Sequence, residues 1–208
     1  MDYLYIVGAG GLGVEVLDLL KKDSAYQKEW SIAGFIDSRV EKKGMLIGGV
    51  PVIGGVEDAP IHGKAIYCSA IGDMVLKKQL VSALIARGCR FIPIVTKCNI
   101  GEGSIFGSTV IQLNASISAF VKIGDHVYLD TNCAIGHHVT VGDYSHIGRG
   151  VFVGGRAIIG SEVIIHAGAL IASDIKIGNN VTIGLGSVVL RNVPDGATVL
   201  GNPARIIK

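Results

Sequence analysis

Charged residues and paired cysteines are both scarce in this 208-residue chain. Charged residues make up 17% and the net charge is only +2, with no basic block and no Lys/Arg stripe interleaved with aromatics. That argues against nucleic acid as the main partner. The four cysteines, Cys68, Cys89, Cys98 and Cys133, form no CxxC motif and no close pair. They read as the reduced thiols of a cytoplasmic protein rather than a disulfide scaffold. No apolar run is long enough to span a membrane, and the N-terminus runs straight into a short strand, Tyr3 to Val7, unlike a signal peptide. What the chain does have is apolar residues, at 49% of the total. A core is therefore within reach without crosslinks.

Those apolar residues are ordered. From Ile105 to Val189 every sixth residue is Ile, Leu or Val, a series of fifteen anchors that includes Ile111, Ile117, Leu129, Ile147 and Ile165. Four places after each anchor stands a second small or aliphatic residue, as at Ala115, Val121, Cys133, Val151 and Val163. Neither a helix nor a flat strand gives a strict period of six. Such a period marks a parallel β-helix in which each short strand is one wall of a coil. Three walls of six residues make a coil of eighteen, so about ninety residues give about five coils, roughly 24 Å tall. Glycines such as Gly124, Gly136, Gly142 and Gly148 follow many anchors and read as corner residues. The interior of the prism is filled, so chemistry falls to outward residues. A cleft between neighbouring prisms is the expected shelter, which implies a ring oligomer and, for three walls, a trimer.

The first half has a different grammar. Leu4–Val7 reads as a buried strand, followed by Gly8-Ala9-Gly10-Gly11-Leu12-Gly13 and a helical pattern through Lys22 with Leu12, Val16, Leu19 and Leu20 on one side. Ile32–Ile36 and Ala65–Cys68 read as further strands. Asp73 is placed to cap a helix carrying Leu76, Leu80, Ala83 and Leu84, closed by Gly88, and Phe91–Val95 reads as a last strand. This is a small parallel α/β unit. The expected division is residues 1–97 for that unit and 98–208 for the β-helix with an irregular cap, the boundary lying near Thr96–Ile100. The glycine loop between strand and helix, with Asp37 at the end of the next strand, suits a nucleotide phosphate. A dinucleotide needs the second half of a doubly wound sheet. With fewer than a hundred residues before the repeats, a mononucleotide such as the UDP of a sugar fits better than NAD.

Six histidines are present. His137 and His138 follow Ile135-Gly136, outside the anchor columns. His146 lies half a coil further on, so His137 and His146 face opposite sides of one prism and can meet only across a subunit interface. His166 projects near the same edge as His146, one coil on. Gly155 is one full coil past His137, so its backbone N–H can serve the same reacting group. An imidazole base with an amide donor suits acyl transfer. His62 and His126 read as solvated surface residues. A zinc site of three converging imidazoles finds no matching set.

Together these residues resemble a known family. A glycine-loop α/β domain fused to hexapeptide repeats looks like the bacterial sugar acetyltransferases of the sialic-acid O-acetyltransferase and UDP-4-amino-sugar N-acetyltransferase type (NeuD/PglD-like). The carriers are Gly8–Gly13, Phe35-Ile36-Asp37-Ser38, Ala70-Ile71-Gly72, the run from Ile135 through His146, and Gly201-Asn202-Pro203-Ala204-Arg205. The resemblance covers essentially the whole chain. It implies a left-handed β-helix, an acetyl-CoA donor, no catalytic metal and a homotrimer with active sites between subunits. It further implies a catalytic base at His137, an acetyl-CoA site lined by His146 with backbone at Gly155, Ala167 and Leu185, and a nucleotide-sugar pocket at Gly10, Gly11, Leu12, Asp37, Ser38 and Gly72. The family places an acidic residue directly after its base, whereas this chain has His138 at that catalytic position. Asp130, Asp143 or a neighbour's Asp125 are the candidates to supply the missing carboxylate. The expected activity is N-acetylation of a nucleotide-linked amino sugar for surface polysaccharide or glycan synthesis. The alternatives are O-acetylation of a sialic acid or other sugar hydroxyl, and a non-catalytic nucleotide-sugar-binding trimer.

Overall fold

The computed structural model describes residues 1–23 and 25–208. It divides into two compact units, Met1–Ile92 and Pro93–Lys208.

In the first unit, β1 (Asp2–Val7), α1 (Gly11–Lys21), β2 (Trp30–Ile36), β3 (Leu46–Ile47), β4 (Val50–Gly54), β5 (Ala65–Ser69), α2 (Met74–Ala86) and β6 (Arg90–Phe91) follow in chain order. The sheet order is β3-β4-β2-β1-β5-β6, parallel throughout except for the β3–β4 hairpin. The chain leaves β1 in one direction towards β2 and later returns to its other side as β5, which opens a crevice at the carboxyl end of β1. Leu4, Ile6, Val7, Phe35 and Ile36 are fully buried, as a doubly covered parallel sheet requires. Asp73 caps α2 by accepting the Leu76 amide at 2.8 Å. The buried stripe of α2 is Lys77, Val81 and Leu84; of the four apolar residues read from sequence only Leu84 belongs to it. Leu76 is exposed and lines the crevice, whereas half-buried Leu80 lines the crevice and also packs against the core. Burial pushes the Lys77 amine down to about 7.

The second unit is a three-walled parallel β-helix. The first wall runs from Ile94–Val95 to Thr198–Gly201 and includes His146–Ile147. The second comprises Asn99–Ile100, Ser116–Ile117, Ala134–Ile135, Phe152–Val153, Leu170–Ile171 and Val188–Val189, and the third runs from Ile105–Phe106 to Lys176–Ile177. The anchors from Ile111 to Val189 and the second column from Thr109 to Ser187 are all buried, and their apolar members form one continuous core. The last stretch read as a strand, Phe91 to Val95, is split. Arg90–Phe91 pairs with β5, whereas Ile94–Val95 pairs with Val110–Ile111. The units therefore divide a few residues before the expected Thr96–Ile100.

Two details of the repeat differ from the sequence reading. Ile105 is not a core anchor: Ile123 pairs with Phe106 and Lys122 with Ile105. The early coils are shorter, so the register shifts by one. Successive strand residues face opposite sides, and the shift leaves Ile105 61% exposed. The glycines after the anchors also do not make the turns. The left-handed backbone recurs every sixth residue further along, at Phe120, His126, Asn132, His138, Tyr144 and Arg156, each with φ near +60°. Glycine follows the anchor because the next coil's backbone approaches there: a Cβ on Gly136 would fall 2.5 Å from the Gly155 nitrogen. At the far end, Thr198–Gly201 pairs antiparallel with Ala204–Ile206, which covers the last strand edge of the first wall.

Candidate active site

The corner that follows the second wall carries His137 and His138. Its backbone is held from both neighbouring coils: His138 N–H donates to Ala119 O at 3.0 Å, and Arg156 N–H donates to His137 O at 2.8 Å. Only the side chains are free to project, and both imidazoles are exposed. Their Nδ1 atoms lie 3.1 Å apart with the rings nearly perpendicular at 85°. The Phe120 ring stands 5.1 Å from that of His138. One coil further, Gly155 leaves room for the base: a Cβ there would fall 2.7 Å from His137 Nε2. Beyond it, Arg156 donates from Nε and Nη2 to Asp174 at 2.7 and 2.6 Å. The Asp174 carboxyl is held below its ordinary range, chiefly by those hydrogen bonds and to a lesser degree by the charge of Arg156 and the proximity of His137.

The amides at the corners fall into two kinds. After the third wall all but that of Asp143 are capped by side chains one coil on. Asp125 Oδ1 accepts from Ser108, Asp143 Oδ1 from Asp125, Asn179 Oδ1 from Ser161 and Asp195 Oδ1 from Asn179, all at 2.8–2.9 Å. Among the described residues the Gly155 amide has no such acceptor. An uncapped N–H beside an exposed imidazole is a donor left for a ligand.

The remaining predicted residues fall elsewhere on the prism. His146 begins a strand of the first wall, its ring 4.9 Å from that of Tyr128. Ala167 and Leu185 stack at the corner after the first wall, where Gly186 N–H donates to Ala167 O at 3.0 Å. Leu185 is exposed. His137, His138 and Gly155 thus share one corner, while His146, Ala167 and Leu185 belong to another wall and its corner, and one chain does not bring the two groups together. His166 is exposed just past Ile164–Ile165, the strand paired with His146–Ile147. His126 is not a surface residue but is buried at 3% exposure, packed 5.0 Å from the Tyr144 ring. The proposed stand-in carboxylates within the chain are committed elsewhere. Asp143 caps Asp125, and Asp130 Oδ1 accepts from Thr131 N–H at 2.6 Å and lies 3.5 Å from Arg149. The carboxylate on this corner is Asp174, whose own titration His137 lowers slightly and which sequence reasoning missed. Its signal was the two-coil spacing from His138.

The second site is the crevice of the first unit, a cavity of about 470 Å³ lined by Gly10, Gly11, Leu12, Asp37, Ser38 and Gly72 together with Arg39 and Leu76. All six predicted pocket residues are there, brought together by the carboxyl ends of β1, β2 and β5. Gly10 is the N-cap of α1, whose first turn holds no acidic residue, so the helix end is open to an anion. Asp37 Oδ2 accepts the Ala9 amide at 2.8 Å, and Oδ1 accepts the Arg39 amide at 3.0 Å and Arg39 Nε at 2.8 Å. Burial alone would raise the Asp37 carboxyl. The Arg39 side chain and the two amides outweigh it and hold the group at about 2. Lys42 Nζ donates to Ala9 O at 2.5 Å. Arg39 and Lys42, not singled out from sequence, put positive charge at the glycine loop. Their signal was basic residues just after Asp37.

The model of the PglD N-terminal domain matches residues 3–84, and that of the bacterial transferase hexapeptide matches residues 120–155 and 156–191. The chain thus joins a PglD N-terminal domain to hexapeptide repeats, the NeuD/PglD-like arrangement. Its NeuD/PglD-like architecture is also that of solved structures. The acetyltransferase domain of PglB from Neisseria gonorrhoeae, in complex with acetyl coenzyme A, is 27% identical, with a TM-score of 0.87 and 99% of each chain covered. PerB from Caulobacter crescentus, in complex with CoA and GDP-perosamine, is 25% identical, with a TM-score of 0.79 over 100% of this chain and 98% of the other. WeeI from Acinetobacter baumannii is 27% identical over 100% of both chains, with a TM-score of 0.60. No curated protein sequence matches significantly. Among the described residues no helix is long and apolar enough to cross a membrane, and no cluster of His, Cys, Asp or Glu is arranged to hold a metal ion.

Proposed function

We propose that this NeuD/PglD-like acyltransferase moves the acetyl group of acetyl-CoA to the amine of a nucleotide-linked amino sugar, in surface polysaccharide or glycan synthesis. The observation that carries the reading is the His137–Gly155 corner, where an exposed imidazole stands beside an amide with no protein acceptor. In this reading the amine attacks the thioester carbonyl, a C–N bond forms and the C–S bond breaks. His137 takes the amine proton and returns it to the departing thiolate. The Gly155 N–H stabilises the negative charge on the carbonyl oxygen. Attack is direct in this reading, because no Ser or Cys is placed beside His137 as a nucleophile: the His137 corner is built from Gly136, His138, Gly155 and Arg156, and Cys133 points into the core.

The glycine-loop crevice holds the nucleotide, with Arg39, Lys42 and the α1 N-terminus facing its phosphates. A single half-sheet suits one nucleotide, with UDP the expected form, while PerB was solved with GDP-perosamine. His146, Ala167 and Leu185 form the acetyl-CoA surface of a neighbouring copy, which makes the working unit a homotrimer. Thiol release from acetyl-CoA tests the whole reading, with UDP- and GDP-linked amino sugars, free amino sugars and sialic acids as acceptors. A nucleotide-linked amine should be the fastest acceptor. Preference for a sialic acid hydroxyl, or no release with any acceptor, overturns it. A monomer by light scattering overturns the shared site.

A further inference from the structure

We propose that His138 is the positioning residue for His137: its Nδ1 accepts the Nδ1–H of His137 and so keeps the Nε2 lone pair of His137 free to take a proton. This rests on the reading of His137 as the base. A neutral imidazole carries one proton, with one nitrogen donating and the other accepting. For Nε2 to act as a base the proton must sit on Nδ1, and a fixed acceptor there favours that tautomer over the other. The neighbour of His137 Nδ1 is His138 Nδ1, at 3.1 Å. His138 is therefore the Nε2–H tautomer, and its outer nitrogen faces solvent.

The geometry holds His138 in this role. Its backbone sits at φ +59°, its amide is fixed to Ala119 O, and Phe120 packs against its ring. On the same corner the charged side chains are Arg156 and Asp174, which pair with each other, and Glu102, whose carbonyl accepts the Phe120 amide. Among the described residues no carboxylate hydrogen-bonds to either imidazole. The usual acid is thus replaced by a neutral acceptor, which orients the base without adding a negative charge. When His137 gains its second proton, the Nδ1 lone pair of His138 still accepts from it. A proton on His138 Nδ1 reverses the arrangement and moves the His137 proton to Nε2, where it blocks the base.

Three substitutions separate orientation from mere packing, all tolerated by a left-handed backbone. His138→Gly removes the acceptor, His138→Asn keeps a neutral one, and His138→Asp adds a charged one. Steady-state kinetics with acetyl-CoA and the best acceptor sugar should show kcat down ~10- to 100-fold in the glycine variant, with KM for both substrates within about two-fold of wild type. The asparagine variant should recover kcat to within a few-fold. The aspartate variant should move the acid limb of the kcat/KM profile to higher pH, since a carboxylate favours protonated His137. ¹⁵N spectra of the ring nitrogens, taken without substrate, should show His137 protonated at Nδ1 in wild type and asparagine variant and mixed tautomers in the glycine variant. A glycine variant with wild-type kcat, an asparagine variant as slow as glycine, or an Nε2–H His137 in the wild type each overturns the inference. Absence of turnover in wild type defeats the enzymatic reading instead, and the ¹⁵N readout then still decides the tautomer.

Discussion

His137 lies over Gly155, one coil along the same corner, so closely that a methyl group there would fall 2.7 Å from Nε2. Gly155 is not in the left-handed region, so its backbone accepts alanine and the imidazole is what must move. Gly155→Ala is expected to lower kcat ~10- to 100-fold through misplacement of the base, with the melting temperature within a few degrees of wild type. Thiol-release kinetics and circular dichroism read the two effects separately.

Removing the ring altogether has the larger effect. His137→Ala is expected to lower kcat by on the order of 10²–10⁴ while calorimetry shows acetyl-CoA bound as before. An unchanged rate removes His137 from the mechanism.

In the first unit, Arg39 holds the Asp37 carboxylate and faces the glycine loop. Arg39→Ala is expected to raise KM for the nucleotide sugar about ten-fold through the loss of charge-assisted contacts worth about 1.5–3 kcal/mol, leaving KM for acetyl-CoA unchanged.

The Asp37 carboxyl also predicts a pH dependence of stability. Folded, it titrates at about 2 rather than at its ordinary 3.8, so the native state binds this proton less tightly than the unfolded chain does. The stability it confers is complete above the unfolded value and is lost as pH falls from about 4 to about 2. Asp37 is 6% exposed, and the contribution is on the order of 2 kcal/mol. Unfolding free energies of wild type and Asp37→Asn from urea titrations should differ by that amount at pH 6 and draw together as pH falls below 4.

The shifted register makes neighbouring anchors unequal. Ile111 is fully buried and Ile105 is 61% exposed. Ile111→Ala is expected to cost about 2–5 kcal/mol through lost burial and a cavity, and Ile105→Ala less than about 0.5 kcal/mol. Equal losses by chemical denaturation would place Ile105 back in the core.

Much of this was legible in order. The six-residue period exposed the β-helix because each wall repeats the same inward step, and it located the His137 corner by counting. The glycine loop, Asp37 and Gly72 came together as read because the ends of three adjacent parallel strands have no other place to converge. Ile105 was misread because a shortened coil preserves the aliphatic pattern while moving each side chain to the opposite face. His126 was misread because a histidine at a turn looks solvated in sequence, whereas its ring packs beside Tyr144.

The sequence alone determined the prism and the parallel α/β unit before it, and it pointed to the His137 corner and the glycine loop but not to Asp174, Arg39 or Lys42, because periodicity and turn chemistry are local and repeat. Tertiary structure alone decided which groups serve as partners. It showed Asp130 and Asp143 committed to other amides, Arg39 closed on Asp37, the Gly155 amide left uncapped, and the two imidazoles touching through Nδ1. Those outcomes depend on side chains a coil or more apart meeting within hydrogen-bond distance, and such meetings leave no period in the chain.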